Sequence, residues 1–496
     1  MNYADLDWRI RRIIDNLWGP VGTVLIHIII VIALFRVVTL QKREIITDVQ
    51  VIIREIETFK DLEDIEEKLD ELADIPTVVD AVTPPTVSLD QEPPQVDTIT
   101  SAGQATDLSE FDVMEAVSPL RFKGLWAGRS ASGRKDALGK YSGGLGNRTE
   151  YAVKKAIEWL KTHQYDDGSW GPNYRVAMTG LALLTFFAHG ETTSSPEYGM
   201  AIRKGLKFLL ETQKAGVFVG GGPWHDKGQI NAYEHAIGTY AISEAYGLTG
   251  IPFLKRAMED AIQIIIDGQH EAGSWDYGYR SGAEANIDVS LSGWHIQALK
   301  AGLMAGAENR GLKMALESSM RGLKVRADLG KTGMFKYSSR AENHAPDRTM
   351  TGVAVLCMQL VGHALDAEAR AGIQVLMGLP CMWTKGPEDL RGTGRWPLYA
   401  WYYITQARFH QGGKSWVTWN KQFAPILCNM QNPDGSWCPA PDSSEAGYGP
   451  VYCTTLTALM LEVYYRFLPT YKPIETEKVK PIEKETQDDE IVIKFG

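Results

Sequence analysis

QYDDGSW at 164–170, QHEAGSW at 269–275 and QNPDGSW at 431–437 are one phrase written three times in a single chain. Each copy follows a run whose apolar residues recur at steps of three and four, as in AVKKAIEWLK. Each leads into a run crowded with Ala, Gly, Ser and Thr, as in TGLALLTFFAHG. Gly168, Gly273 and Gly435 let the backbone reverse, and Trp170, Trp275 and Trp437 can then lay a large ring on the hairpin while the indole N–H finds a partner. The phrase therefore reads as the turn of a helical hairpin. Moving outward, the unit returns as IRKGLKFLLETQKAGVFVGGGPW with EHAIGTYAISEAYGLTG, and as ALESSMRGLKVRADLGKTGMFKY with RTMTGVAVLCMQLVGH. A degenerate copy reads ARAGIQVLMGLP with LYAWYYITQARFHQGG. Corresponding points near Thr179, His235, Ser292, Thr351, Trp401 and Thr454 recur at roughly fifty to sixty residues, a period suited to a hairpin with a long loop. A lone hairpin cannot bury its apolar face, so neighbours must stack. Residues 151–469 are expected to form an all-α, α6/α6 toroid of six helical hairpins, the small-residue second helices inside and the Lys- and Glu-bearing first helices outside.

The rest of the 496 residues reads as appendages. After a tail at 1–17, the stretch 18–40, WGPVGTVLIHIIIVIALFRVVTL, is long and apolar enough to cross a hydrocarbon core of about 30 Å as a transmembrane helix. Arg9, Arg11 and Arg12 before it balance Arg36, Lys42 and Arg43 after it. A short arginine-bearing tail before a large exported domain favours a single-pass inner-membrane protein with a periplasmic toroid. In 41–74, Ile45, Val49, Ile52, Ile56, Phe59, Leu62, Ile65, Leu69 and Leu72 form an amphipathic stripe suited to self-association. Residues 75–150 read as a linker, proline-bearing and then glycine-rich, and 470–496 as a disordered charged tail. A net charge of -10 with interleaved signs leaves no basic stripe, which argues against nucleic acid as a partner. The five cysteines form no C-x-x-C or zinc-like cluster, so neither a metal nor a cofactor is expected.

The repeated phrase resembles the QW motif of squalene-hopene and oxidosqualene cyclases, whose fold is shared with protein prenyltransferase β subunits. The stretches YEHAIGTYAISEAYGLTG at 233–250, GWHIQALKAGLMAG at 293–306 and TALMLEVYYRFLP at 457–469 are similar to those of membrane-anchored bacterial squalene cyclase-like proteins. The resemblance implies the toroid, a membrane setting, and an isoprenoid or other hydrophobic ligand. It also implies where chemistry would sit. Bacterial cyclases of this kind take their acid from a D-x-D-D-T motif at the head of an inner helix. The matching HAPDRTMTG at 344–352 keeps Asp347 and Thr349 but has Ala345 and Arg348 in place of the other two aspartates. An adjacent guanidinium favours the ionised carboxylate, the wrong state for a proton donor. The Asp-Cys-His zinc set of the prenyltransferases is also incomplete, because Tyr452-Cys453 has no histidine beside it and no D-x-C before it.

What is left is the ring's centre. Asp347, Asp226, Glu234 and His235 are the candidate acid/base residues, with Asp226, Glu234 and His235 the most site-like group. Tyr233, Asp288, Trp294, His295, Trp401, Tyr402 and Tyr452 are the candidate cavity residues. The competing reading makes Asp347 a helix cap and the aromatics filling of the ring. Two functions follow: a ligand- or protein-binding module of an envelope complex, or an isoprenoid cyclase-like enzyme whose acid is displaced from its usual place.

Overall fold

The computed structural model describes residues 128–220, 230–280, 288–338, 345–381, 397–439 and 443–466, together with Trp8, Ile10 and Arg12. The chain divides into two compact units, Met1–Val78 and Val79–Gly496, and the helices below belong to the second. The predicted span at 18–40, the amphipathic stretch at 41–74, the tail at 470–496 and Asp226 lie outside the described residues. Among the described residues no helix is long and apolar enough to cross a membrane.

Helices α1 (Ala131–Tyr141) and α2 (Gly146–Thr162) open the unit. Then α3 (Arg175–His189), α5 (Ala232–Thr249), α7 (Val289–Ala305), α9 (Arg348–Val361), α11 (Pro397–Gln411) and α13 (Gly449–Leu461) alternate with five others. Those are α4 (Gly199–Thr212), α6 (Pro252–Asp267), α8 (Leu312–Lys324), α10 (Ala367–Met377) and α12 (Gly413–Asn429). Helix α3 packs on α5, α5 on α7, α7 on α9, α9 on α11, α11 on α13, and α13 back on α3. That closed circuit is the inner ring. Each inner helix also packs on the outer helix that follows it, and the last, α13, packs on the first outer helix, α2. The six hairpins therefore form an α/α toroid. Sequence explains the layering. Inner helices are buried on nearly every side, as α3 and α9 are, whereas α4, α6 and α8 bury one stripe. Small residues let the inner helices approach: a Cβ on Gly293 of α7 would stand 2.5 Å from Val353 of α9.

The repeated phrase is the staple of this architecture. Trp170, Trp275 and Trp437 are fully buried, and their indole N–H groups donate to the carbonyls of Leu160, Ile265 and Leu427 at 2.7–2.8 Å. Gln164, Gln269 and Gln431 each donate twice, once to the glycine carbonyl of their own turn and once across to the next outer helix at Ala201, Ala315 or Ala152. The Gln431–Ala152 bond of 2.8 Å joins the last hairpin to the first. Gly273 has φ +92°, and a Cβ there would meet the Ser318 carbonyl at 2.0 Å. The glycine is thus needed both for the turn and for the close approach of the neighbouring helix. Gln213 makes the same pair of bonds, to Gly216 and Ala257, in a repeat whose turn is a small hairpin of strands β1 (Gln213–Lys214) and β2 (Val217–Phe218).

One stretch departs from expectation. The glycine-rich part of the supposed linker is helical over Ala131–Tyr141, with Ser130 capping it by accepting from Gly133, and α2 begins at Gly146. Its helicity comes from packing: Ala137 and Leu138 join the core, and Trp416 and Asn420 of α12 bond the Tyr141 and Ser142 carbonyls.

Candidate functional site

The inner helices run in parallel, so their amino-terminal ends gather at one mouth of the ring. Free N–H groups and helix dipoles would make such a convergence an anion site. Side chains close most of it instead. Asn231 caps α5 by accepting from Tyr233 and Glu234, Asp288 caps α7 by accepting from Leu291 at 2.5 Å, and Asp347 caps α9 by accepting from Met350 at 2.8 Å. Two further caps come from neighbouring repeats. Glu234, in the first turn of α5, accepts from Val176 at the head of α3 at 3.2 Å. Glu445, in the 3₁₀ turn Ser444–Tyr448 before α13, accepts from Leu398 and Tyr399 at the head of α11 at 3.1 and 2.8 Å.

Burial sets the protonation of these groups. It pushes Glu234 up to about 7 against the pull of the Val176 and Ala177 N–H groups. It pushes Glu445 up to about 7 against the N–H groups of Tyr399 and Leu398 and the Tyr452 hydroxyl. Asp288 is raised to about 6 by burial, opposed by hydrogen bonds from Tyr277, Leu291 and Tyr337.

Tyrosines surround the caps. Tyr277 and Tyr337 bond to each other beside Asp288. The Tyr233 hydroxyl donates to Ser290 Oγ at 2.9 Å, and Ser290 in turn donates to the Tyr399 hydroxyl, which donates back to the Ser290 carbonyl at 3.0 Å. Tyr174, Tyr448 and Tyr452 continue the series, with ring centroids 5.7 and 5.1 Å apart. Several of these tyrosines, among them Tyr174, Tyr233, Tyr277, Tyr337 and Tyr448, are only half-buried.

Of the predicted acid/base group, Glu234 and His235 turn to different partners. His235 accepts from the Phe218 N–H through Nδ1 at 3.2 Å and donates from Nε2 to the Ala261 carbonyl at 3.0 Å, and burial pulls it down to about 4. Both nitrogens are committed, so the ring is a neutral clamp. Its counterparts explain why. Thr179, Thr351 and Thr454 accept in the same way from the backbone of Trp170, Phe335 and Trp437 at 3.0–3.1 Å, so His235 occupies the threonine position of its repeat. His295 stacks on Trp275 at 4.9 Å, donates to the Leu291 carbonyl and accepts from Tyr279, while burial pulls it down to about 3.

Of the predicted cavity set, Tyr233, Asp288 and Tyr452 stand at the mouth, whereas Trp294 and Tyr402 fill the centre, stacked at 5.4 Å. Trp401 is buried within α11. Tyr402 donates to Gln297, Gln297 to Tyr403, and Arg466 to Tyr240 at 3.0 Å and Tyr402 at 3.4 Å, so hydrogen bonds cross the ring from α5 to α11. Tyr277, Tyr337, Glu445 and Arg466 were not singled out from sequence. Tyr277 and Tyr337 had a signal, since each stands two residues after the turn aromatic, in WDY and FKY. Glu445 had none, because its partners lie in another repeat.

The class this fold defines is the α/α toroid, and the comparisons with known proteins stand beside it. No family model matches the chain. It is 25% identical over 130 residues to lanosterol synthase of Saccharomyces cerevisiae, a match that spans 25% of this chain and 17% of that enzyme. Solved structures similar to it include an inactive variant of the α-1,6-mannanase GH76A of Salegentibacter sp. HEL1_6, in complex with α-1,6-mannotriose. That structure is 13% identical, covering 64% of this chain and 99% of that one, with a TM-score of 0.48. A type II terpene cyclase variant from Scytonema, in complex with geranylgeranyl dihydroxybenzoate, is 11% identical over 65% of this chain and 98% of that one, with a TM-score of 0.42.

Proposed function

We propose that the chain is a binding toroid, anchored to the inner membrane through residues 18–40 and presenting its tyrosine-lined mouth in the periplasm to a ligand or protein of an envelope complex. The observation that carries this reading is how the candidate acid/base residues among the described ones are held: both nitrogens of His235, one oxygen of Glu234 and Asp347 are hydrogen-bonded to backbone. Groups held this way position helices rather than transfer protons. The stacked and hydrogen-bonded residues Trp294, Tyr402, Tyr403 and Gln297 in the centre also favour recognition at the mouth over a deep chamber for a folding polyene. Residues 45–72 would pair protomers beside the membrane.

A second reading rests on Asp288. It caps α7, yet it is buried beside the Tyr277 and Tyr337 hydroxyls, and burial raises it to about 6, so more of it stays protonated than of an ordinary aspartate. An isoprenoid cyclase-like enzyme would then use the head of α7 rather than that of α9. Because cyclisation leaves the mass of squalene unchanged, gas chromatography of lipid extracts separates the two readings when full-length wild type, Asp288→Asn and Asp347→Asn are each incubated with squalene. The binding reading expects no new product from any of the three. A cyclised product made by wild type and lost in Asp288→Asn would replace it with the enzyme.

A further inference from the structure

The opposite end of the ring carries a different arrangement. Arg129, in the lead-in to α1, is 1% exposed and reaches two groups with one planar fork: Nη1 donates to the Phe187 carbonyl near the end of α3 at 3.1 Å, and Nη2 lies 2.8 Å from Glu244 of α5. Arg134, one turn into α1, donates to the Arg129 carbonyl at 2.8 Å and the His189 carbonyl at 2.6 Å and lies 3.5 Å from Glu150 of α2. His189 stands between Glu150 and Glu191 at 3.1 and 2.9 Å. Just beyond α13, Glu462 is fully buried, and neither of its carboxylate oxygens meets a protein donor. Arg129 Nε and Nη2, both oxygens of Glu244 and the second oxygen of Glu150 are likewise buried without a protein hydrogen-bond partner, so Arg129 and Glu244 meet as an ion pair rather than through an aligned hydrogen bond. Burial holds Glu462 far above its usual range, against the charges of Arg466, Arg129 and Arg134.

We propose that this end of the ring is a guanidinium socket, built from Glu244 and the Phe187 carbonyl, filled in cis by Arg129 and completed by bound water. A donation to a carbonyl and an ion pair with a carboxylate, made by two nitrogens of one flat group, suit a guanidinium and not an ammonium, whose charge is a compact point. Buried polar atoms left dry would each be costly, so acceptors that Arg129 does not reach are met by solvent. The socket thus has spare capacity around its plug. The lead-in is fixed to the ring here by charge, whereas Ala137 and Leu138 fix the far end of α1 by apolar packing.

The test is chemical rescue on the full-length chain. Arg129→Ala should lower the melting temperature by roughly 5 °C or more, since a buried carboxylate loses its partner. It should also speed tryptic cleavage at Arg134 at least tenfold. Ethylguanidinium at millimolar concentration should restore most of both losses, ethylammonium neither, and the double variant Arg129→Ala/Glu244→Gln should respond to neither. Equal rescue by the two cations, or none by ethylguanidinium in a folded variant, would overturn the socket. Should Arg129→Ala fail to fold, Arg129→Lys serves instead: it should lose a clear part of the wild-type stability, and a melt indistinguishable from wild type would overturn the proposal.

Discussion

The two ends of this toroid solve opposite electrostatic problems with side chains of opposite charge. At the mouth, converging helix amino termini offer N–H groups, and Asp288, Asp347, Glu234 and Glu445 accept from them. At the other end, helix carboxyl termini offer carbonyls, and Arg129 and Arg134 donate to Phe187 and His189. The mouth draws its counter-groups from the inner helices and their loops. The closed end draws them from the lead-in and from α1. A carboxylate's place in the ring therefore says more about its role than its proximity in sequence to a familiar motif. Caps are expected to be individually modest and replaceable by their amides, whereas buried ion pairs are expected to fail when halved.

The sharpest way to break the comparison is at the closed end. Glu244→Ala leaves the Arg129 guanidinium buried opposite no charge and should cost about 3–5 kcal/mol in chemical denaturation of the full-length protein. A loss under about 1 kcal/mol would mean that the pair is solvated and that the ends do not differ. At the mouth, Glu445→Ala removes the acceptor for two N–H groups of α11 and should cost about 1–3 kcal/mol.

The pH dependence of the mouth has a definite sign. Glu234 and Glu445 are raised to about 7 in the folded protein from 4.5. A group raised on folding binds its proton more tightly there, so its stabilisation is full below about 4.5 and is lost as pH climbs through 7. Melts at pH 5 and pH 8 should therefore show wild type losing stability relative to the Glu234→Gln/Glu445→Gln double variant. A gap that stays constant across that range would show that the caps do not titrate there. Smallest of all, Asp347→Asn should change stability by only a few tenths of a kcal/mol, because asparagine caps as well as aspartate, while Asp347→Ala should cost about 1 kcal/mol. A much larger effect of the amide would mean that the charge of Asp347 matters beyond the cap.

Much of this ring was legible in the sequence, because hairpin, turn and period are local properties. Trp170, Trp275 and Trp437 lie ten residues from the carbonyls they bond, and a repeated local phrase reports such a contact directly. The repeat also placed Thr179, His235, Thr351 and Thr454 in register, and the structure gives those four one shared bond to the turn backbone. What the phrase does not report is the partner in another repeat. Gln431 meets Ala152 across 279 positions, and Glu445 meets Tyr399 across 46. Glu234 and His235 looked like a pair because they are adjacent. On a helix that adjacency turns them about 100° apart, which sends one to α3 and the other to α6. Arg129 was hidden for a different reason, since a Gly- and Ser-rich context reads as linker until the ring it plugs is known.

Amide hydrogen exchange at the helix heads tests most directly whether the mouth's carboxylates are caps. In Glu445→Ala the peptide carrying Leu398 and Tyr399 should lose protection, while the heads of α3, α7 and α9, each with its own carboxylate, keep theirs. Unchanged exchange at Leu398 and Tyr399 would contradict the assignment and free Glu445, and by extension Glu234, for chemistry.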